Sequence, residues 1–526
     1  MLDKIPSFLL KLVVAVASVW PWLADKINAI AINSTVNVCR HRPHPWSTVH
    51  DYTSWTSLTD QRWSARHLQA KRLSGLPKAD AVTDDIVTLF KRPTGVQRLS
   101  TKSTCLFPSF AQYLTDGFIR TRMPNKSAGE TDEIRKQNTS NNQIDLCPLY
   151  GRLSIQTDAL RLKSPKPGER GRLKSQLING EEYAPFLYQN GAPKLEFKDL
   201  DPPLGIDNVP GPLLTRLFAF GGDRANGTPQ VAMMNTLFLR EHNRLAGLMA
   251  AANPDWDDDR VFETARMTTI VLFIKVVVEE YINHISPFAP PFHFRAVPAV
   301  AWDASWNKPN WVTTEFSLLY RWHSLIPDTL AWSGTVYPVG ETLMNNQLLL
   351  DAGLLRAFTD ISAQAAGCLG ALNTADALLQ IELNSIMQGR ICAVASYSDY
   401  REYVHLPRPQ KFEDISTDPK VVNLLKAAYN NQIDNVEFYI GLFAEEAVKN
   451  SPLPPLILKM VAVDAFSQAL TNPLLSKSVF NCNTFSPLGW AVIANTGSLR
   501  DILDRNTPEG VGKARIGMTL PNWRPS

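Results

Sequence analysis

Long stretches in which apolar residues recur at helical spacing dominate this chain. Met233 to Ala252, Arg260 to Ile285, Thr314 to Ile326, Asp376 to Gln388 and Val421 to Val448 each carry them in the i, i+3, i+4 pattern, which makes one side of a helix continuously apolar. The period-two alternation of half-buried strands is scarce. A mainly α fold follows. The 37 prolines stand mostly between the periodic stretches and read as helix ends and ordered loops. Arg122 to Asn142 is polar and turn-rich, and Lys163 to Arg172 is basic and rich in proline and glycine; both read as surface loops. No fixed period repeats, so a solenoid is not supported. Neither loop divides two cores. The simplest organisation is one large helical domain over residues 46–526 preceded by a distinct segment over residues 1–45.

With 44 % hydrophobic and 20 % charged residues, the chain can bury a large core. A net charge of only +3 over 526 residues removes the electrostatic argument for nucleic acid as a main partner. The six cysteines, Cys39, Cys105, Cys147, Cys368, Cys392 and Cys482, show no metal-ligand spacing and no disulfide framework, which favours a reducing compartment. At the amino terminus the longest uncharged apolar run, Leu12 to Ala24, is too short for a relaxed bilayer span. Phe8, Leu9, Leu12, Val13, Val16, Trp20, Trp22 and Leu23, punctuated by Lys4, Lys11 and Lys26, make an amphipathic surface suited to a headgroup layer. The same segment also suits a helix docked on the protein's own core. The expected location is cytoplasmic or peripheral to a membrane, with secretion left open, and the sequence sets no oligomeric state.

Glu315 to Asp328 reads EFSLLYRWHSLIPD. Phe316, Leu319, Tyr320 and His323 fall at i, i+3, i+4 and i+7, which places all four on one helix face and makes Tyr320 and His323 neighbours. Read alone, a tyrosine and a histidine on an apolar face are more often satisfied core residues than a cofactor site.

This segment resembles the proximal-helix signature of the cyclooxygenase-like haem peroxidase superfamily, in its fatty-acid dioxygenase branch. Other stretches agree in order along the chain: FPSFAQYLTDGFIRT from Phe107, GGDRANGTP from Gly221, FLREHNRLAGLMAAANPDWDDDRVFETAR, VVVEEYINHIS, IDNVEFYIGLFAEE and NPLLSKSVFNCNTF. The resemblance runs from about His50 to near Asn506. It implies a haem b with His323 as axial iron ligand and a radical on Tyr320 that abstracts hydrogen from an acyl chain, with molecular oxygen trapping the carbon radical. Tyr281 matches a tyrosine that hydrogen-bonds the radical tyrosine. Ile282, Ile285, Ser286 and Phe288 fall where the family lines its fatty-acid channel, and Ala465 falls at a further channel position, with Ser467 close by.

Several positions depart from the pattern. Gln112 matches the distal helix, but four residues on Asp116 stands where the superfamily usually has a histidine that handles protons during peroxide cleavage. A carboxyl with an ordinary pKa of about 4 is a poor acid at neutral pH unless burial raises it, so peroxidase turnover is in doubt. Arg224 matches the distal arginine, while Gly227 and Thr228 replace the Glu and Met that link haem covalently in mammalian peroxidases; one non-covalent haem per chain is implied. Counting back from HDYTSW places Val36 where cyclooxygenases hold the fatty-acid carboxylate with an arginine, and Arg40 and Arg42 are off register.

The leading expectation is a dioxygenase converting an unsaturated C18 fatty acid to a hydroperoxide. Tyr-Arg-x-His-Ser-Leu at 320–325 favours the alternative of α-dioxygenation next to the carboxylate. A non-catalytic haem- or lipid-binding relative is a third reading, against which the retained Tyr320, Tyr281 and His323 speak.

Overall fold

The computed structural model describes residues 21–39, 45–73, 82–166, 168–288 and 292–525. Phe8, Leu9, Leu12, Val13, Val16 and Trp20, and also Arg40 and Arg42, lie outside them. The helices that carry the argument are α1 (Pro21–Cys39), α2 (Leu106–Phe118), α3 (Pro229–Ala252), α4 (Asp258–Val276), α5 (Thr314–Leu319), α6 (Leu379–Ile391), α7 (Phe438–Ala444), α8 (Pro455–Leu470), α9 (Cys482–Ala494) and α10 (Leu499–Asp504). Sheet structure among the described residues is confined to short two-stranded antiparallel pairs. No described helix is long and apolar enough to cross a membrane.

The core is built around α3. Thr228 caps it, its hydroxyl accepting from Val231 N at 3.3 Å, and Pro229 occupies a first-turn position where a missing N–H costs nothing. Helix α4 packs on α3, α9 packs on α4, and α2 lies alongside α3. Phe110, Tyr113, Phe238 and Phe273 interlock at ring separations of 5.3–5.8 Å where α2, α3 and α4 meet. Such aromatic pairs add about 0.5–1.5 kcal/mol each beyond the area they bury.

The Arg-Glu-His-Asn run of α3 holds the scaffold. Glu241 is fully buried and pairs with Arg244 at 2.9 Å and Arg505 at 2.7 Å, while Asn506 donates to it at 2.6 Å; the chain after α10 is thereby tied to the central helix. His242 receives the Tyr150 hydroxyl on Nδ1 at 2.9 Å and donates from Nε2 to Gly171 O at 2.8 Å. Burial pushes its pKa down to about 3, so it stays neutral with both nitrogens occupied.

Beyond Val276 the helix widens into a π-helical turn over Val277–Ile282 before a last short turn, Asn283–Ile285. This places Tyr281 in the interior.

Helix α1 docks on α8 with Ala31, Ile32 and Val36 buried. Trp306 Nε1 donates to Asn33 at 2.7 Å, and Arg295 pairs with Asp25 at 2.8 Å. Over residues 21–39, docking on the protein's own core is thus what the chain does, although Trp22 and Ile30 remain 59 % and 56 % exposed on the outer side.

Two expected helices are broken. Val421 to Val448 divides into Pro419–Ala428, a 3-10 turn at Ile433–Asn435, and α7, because Asn430 and Asn431 both take left-handed φ values of 50° and 58°, which asparagine tolerates better than most residues. Thr314 to Ile326 ends as an α-helix at Leu319 and resumes only as a 3-10 turn at His323–Leu325. The indole Nε1 of Trp322 donates to Leu319 O at 2.6 Å, taking the acceptor that the His323 N–H would use in a continuing helix. Pro327 follows and blocks further propagation. Tyr320 and His323 are therefore displayed from a helix end and the turn after it, not from one helix face.

Candidate active site

The break at Leu319 leaves Tyr320 as the cap residue of α5, 8 % exposed. Its ring stacks on Trp322 at 4.7 Å and meets Phe316 at 4.7 Å. The Tyr281 hydroxyl donates to the Tyr320 hydroxyl at 3.2 Å. Burial raises both phenols above the ordinary tyrosine value, so neither ionises near neutrality. Phe107 of α2 packs against Tyr281 at 5.8 Å and Trp322 at 5.5 Å, closing apolar rings around the pair.

His323 begins the 3-10 turn with its Nδ1 3.1 Å from Glu382 Oε1, within ion-pair reach but off the line of a regular hydrogen bond. Glu382, on α6, is 2 % exposed. Its Oε1 accepts from Thr374 Oγ1 at 3.0 Å and its Oε2 from the Tyr439 hydroxyl of α7.

Gln112 and Asp116 lie one turn apart on α2. Asp116 Oδ1 is 3.8 Å from Arg224 Nη1, which also donates to Ile119 O at 2.7 Å. Burial pushes the Asp116 carboxyl up to about 7; Arg224 opposes the rise, Asp223 adds to it, and Arg321 and a Gln112 hydrogen bond oppose it. The Asp116 side chain nevertheless keeps 11 % of its surface exposed. Arg321 is close enough to feel Asp116, Arg224, Tyr439 and Glu382 together. It thereby links the α2 side of the site to the His323 side. Its Nη2 donates to Ser317 Oγ at 3.2 Å.

Ile282 and Ile285 are buried on the π-helical turn and the turn after it, and Ser286 follows, its Oγ accepting from Phe288 N at 3.1 Å. Phe288 joins Phe292 and Phe294, and Phe294 meets Phe466 at 4.8 Å, beside Ala465 on α8. Ser467 is fully buried and bonded within its own helix. A cavity of about 960 Å³ lined by Arg122, Asn138 to Asp145, Arg266 and Asn472 contains none of these residues.

Sequence reasoning missed Glu382, Arg321 and Tyr439. A signal existed for the first: Glu382 interrupts an apolar run, Leu378, Leu379, Ile381, Leu383 and Ile386, and a carboxylate there needs a buried partner.

The site thus consists of a tyrosine pair in an aromatic setting, a histidine whose Nδ1 faces a buried glutamate, and a Gln-Asp-Arg group connected to the histidine side through Arg321. The sequence profile of the family described as animal haem peroxidase matches residues 102–515, and the chain belongs to that family. It is 27 % identical to prostaglandin G/H synthase 2 of Equus caballus over 93 % of this chain and 77 % of the relative, and 27 % identical to prostaglandin G/H synthase 1 of Rattus norvegicus over 88 % and 74 %. Solved structures share the fold: peroxidase A from Dictyostelium discoideum, with a TM-score of 0.67 and 18 % identity over 91 % of this chain and all of that one, and the fatty acid alpha-dioxygenase of Oryza sativa, with a TM-score of 0.67 and 17 % identity over 92 % and 90 %.

The family implies haem, and the residues present fit it. Among the described residues His323 Nε2 has no hydrogen-bond partner, which suits a nitrogen whose lone pair would hold iron. Among the described residues Asp116 Oδ2 and Arg321 Nε are buried polar atoms without a hydrogen-bond partner, as expected of groups that complete a ligand's surroundings.

Proposed function

We propose that this chain is a haem-dependent dioxygenase that converts an unsaturated C18 fatty acid and molecular oxygen to a hydroperoxide through a radical on Tyr320. The 3.2 Å contact between the Tyr281 and Tyr320 hydroxyls in a dry aromatic setting carries this reading. His323 would hold one haem per chain, and the bound haem would supply one-electron oxidation. Gly227 and Thr228 offer neither carboxylate nor thioether for a covalent link.

The chain's own residues account for the rest. The phenol of Tyr320 is neutral, so it leaves its site as a hydrogen-atom donor and not as an anion. Tyr281 fixes its orientation while the rings of Phe107, Phe316 and Trp322 exclude water that would quench a radical. The Tyr320 radical takes a hydrogen atom from the acyl chain, oxygen adds to the carbon radical, and the peroxyl radical recovers a hydrogen atom from Tyr320. One C–H bond and one O₂ become one C–O–O–H group, and the tyrosyl radical is regenerated. Ile282, Ile285, Ser286, Phe288 and Ala465 would line the acyl channel. Asp116, with a pKa near neutrality, would exchange protons with peroxide beside Gln112 and Arg224.

Tyr320-Arg321-x-His323-Ser324-Leu325 supports a second reading, oxygenation next to the carboxylate. Residues 1–45 would meet a membrane surface, with Trp22 and Ile30 of α1 outermost and Lys26 between them over the Trp22 ring, giving a cytoplasmic or peripheral location. Haem-reconstituted protein incubated under oxygen with C14 to C20 fatty acids, with products resolved by mass spectrometry, tests the proposal. A mid-chain hydroperoxide supports the first reading and a 2-hydroperoxide the second. No oxygenated product from any acid rejects both.

A further inference from the structure

Glu382 is a carboxylate buried where burial costs several kcal/mol without compensation. Among the described residues no Lys or Arg nitrogen lies within ion-pair distance of it. Its oxygens are met by Thr374 Oγ1 at 3.0 Å and the Tyr439 hydroxyl, and the third group against it is His323 Nδ1 at 3.1 Å. Two neutral hydroxyls orient a carboxylate without neutralising it. Glu382 lies 59 positions beyond His323 in the chain, and α6 and α7 must both be in place to hold the arrangement. Arg321 acts on Glu382 from beyond ion-pair distance, and among the described residues His323 Nδ1 is the side-chain nitrogen within ion-pair distance of it.

We infer that Glu382 is a positioning residue for His323: it accepts the Nδ1 proton, fixes the tautomer whose Nε2 carries the free lone pair, and makes that nitrogen a stronger electron donor. The inference rests on the reading of His323 as the haem ligand. A small turn of the imidazole would align the 3.1 Å approach into a hydrogen bond. A histidine bonded to a carboxylate has partial imidazolate character and stabilises the oxidised metal. The site would hold ferric haem against reduction more strongly than one in which the histidine faces a neutral acceptor. Thr374 and Tyr439 set the strength of this effect, since each takes a share of the carboxylate's accepting capacity.

The test uses full-length haem-reconstituted protein, with the ferric/ferrous midpoint potential measured by spectroelectrochemistry and the iron–imidazole stretch of the ferrous form by resonance Raman. Glu382→Gln keeps the volume and an acceptor for the hydroxyls but removes the charge. The midpoint should move positive and the stretch should fall in frequency, with haem occupancy near wild type. Glu382→Asp, which keeps a carboxylate, should return both partway. A wild-type midpoint and stretch in Glu382→Gln overturns the inference. If that variant does not fold, Tyr439→Phe decides. Losing the competing hydroxyl should move the midpoint the opposite way, and an unchanged midpoint there also overturns it. Failure of the underlying reading looks different: His323→Ala would then keep the wild-type haem spectrum whatever Glu382 does.

Discussion

The hydroxyl oxygens of Tyr281 and Tyr320 lie 3.2 Å apart although 39 positions separate the residues in the chain. One comes from a π-helical turn and the other from the abrupt end of α5. The bond gives Tyr320 a defined orientation, while burial keeps its phenol neutral. Tyr320→Phe deletes that phenol while keeping the ring against Trp322 and Phe316. Stability should fall by about 1 kcal/mol for the lost hydrogen bond, and the haem spectrum should persist. Oxygen uptake with fatty acid and a trace of peroxide should vanish. Near-normal uptake with intact haem would remove Tyr320 as the hydrogen abstractor.

His323→Ala should abolish normal haem retention. No other described histidine lies on the same turn, and His242 and His284 are each bonded at both ring nitrogens. The Soret band of the reconstituted variant is the measurement. Equal occupancy and an unchanged band would show that iron is held elsewhere.

Asp116 stands where the resemblance expects a histidine, but burial raises its carboxyl to about 7, so it can exchange protons at neutral pH as that histidine would. Asp116→Asn should therefore lower the rate of hydrogen peroxide reduction per haem by roughly 10²- to 10⁴-fold, the usual reach of general acid–base catalysis. An unchanged rate in the variant would assign the proton work to another group.

The same carboxyl makes stability depend on pH. Burial holds Asp116 up to about 7 in the folded chain against an ordinary 3.8. Between those values the unfolded chain has released a proton that the folded chain keeps, so stability falls as pH rises from about 4 to about 7 and is level above. Asp116→Asn cannot ionise and should lose that component of the slope. Urea midpoints of haem-free protein across this window check it, and a variant with the full wild-type slope would mean that other groups dominate the titration.

Arg505→Ala should destabilise the fold by on the order of 2–3 kcal/mol, because it strips a partner from the fully buried Glu241 while leaving Arg244. Urea unfolding reads the change directly. A loss below about 0.5 kcal/mol would place this pair with surface ion pairs of little worth.

Much of the scaffold was legible in the sequence. Met233 to Ala252 and Arg260 to Ile285 are periodic over many turns, and long amphipathic helices seldom yield to tertiary context. The break at Tyr320 was not legible, because it depends on a Trp322 indole folding back onto Leu319 O, a contact that propensity does not encode. Asn430 and Asn431 were a visible warning inside Val421 to Val448 and carry that helix's break. In the site, Tyr281, Tyr320 and His323 stood out by motif, and Asp116 by departure from it. The Asp116 shift depends on burial that a sequence does not display. Glu382 signals a buried partner by interrupting an apolar run, but that the partner is His323 emerges only after α6 folds back.

The π-helical turn at Val277–Ile282 lets one helix serve two registers. A single extra residue rotates everything downstream by about 100° and lengthens the path by about 1.5 Å. Upstream, α4 can keep its apolar stripe on α3, while Tyr281 is indexed independently toward Tyr320. Deleting one residue from Val277–Glu280 would restore an ordinary helix and leave the α4 packing in place, yet swing the Tyr281 phenol out of reach. The widened turn thus works as a phase shifter between scaffold and chemistry, so that mutations settling the core need not disturb the aim of the tyrosine.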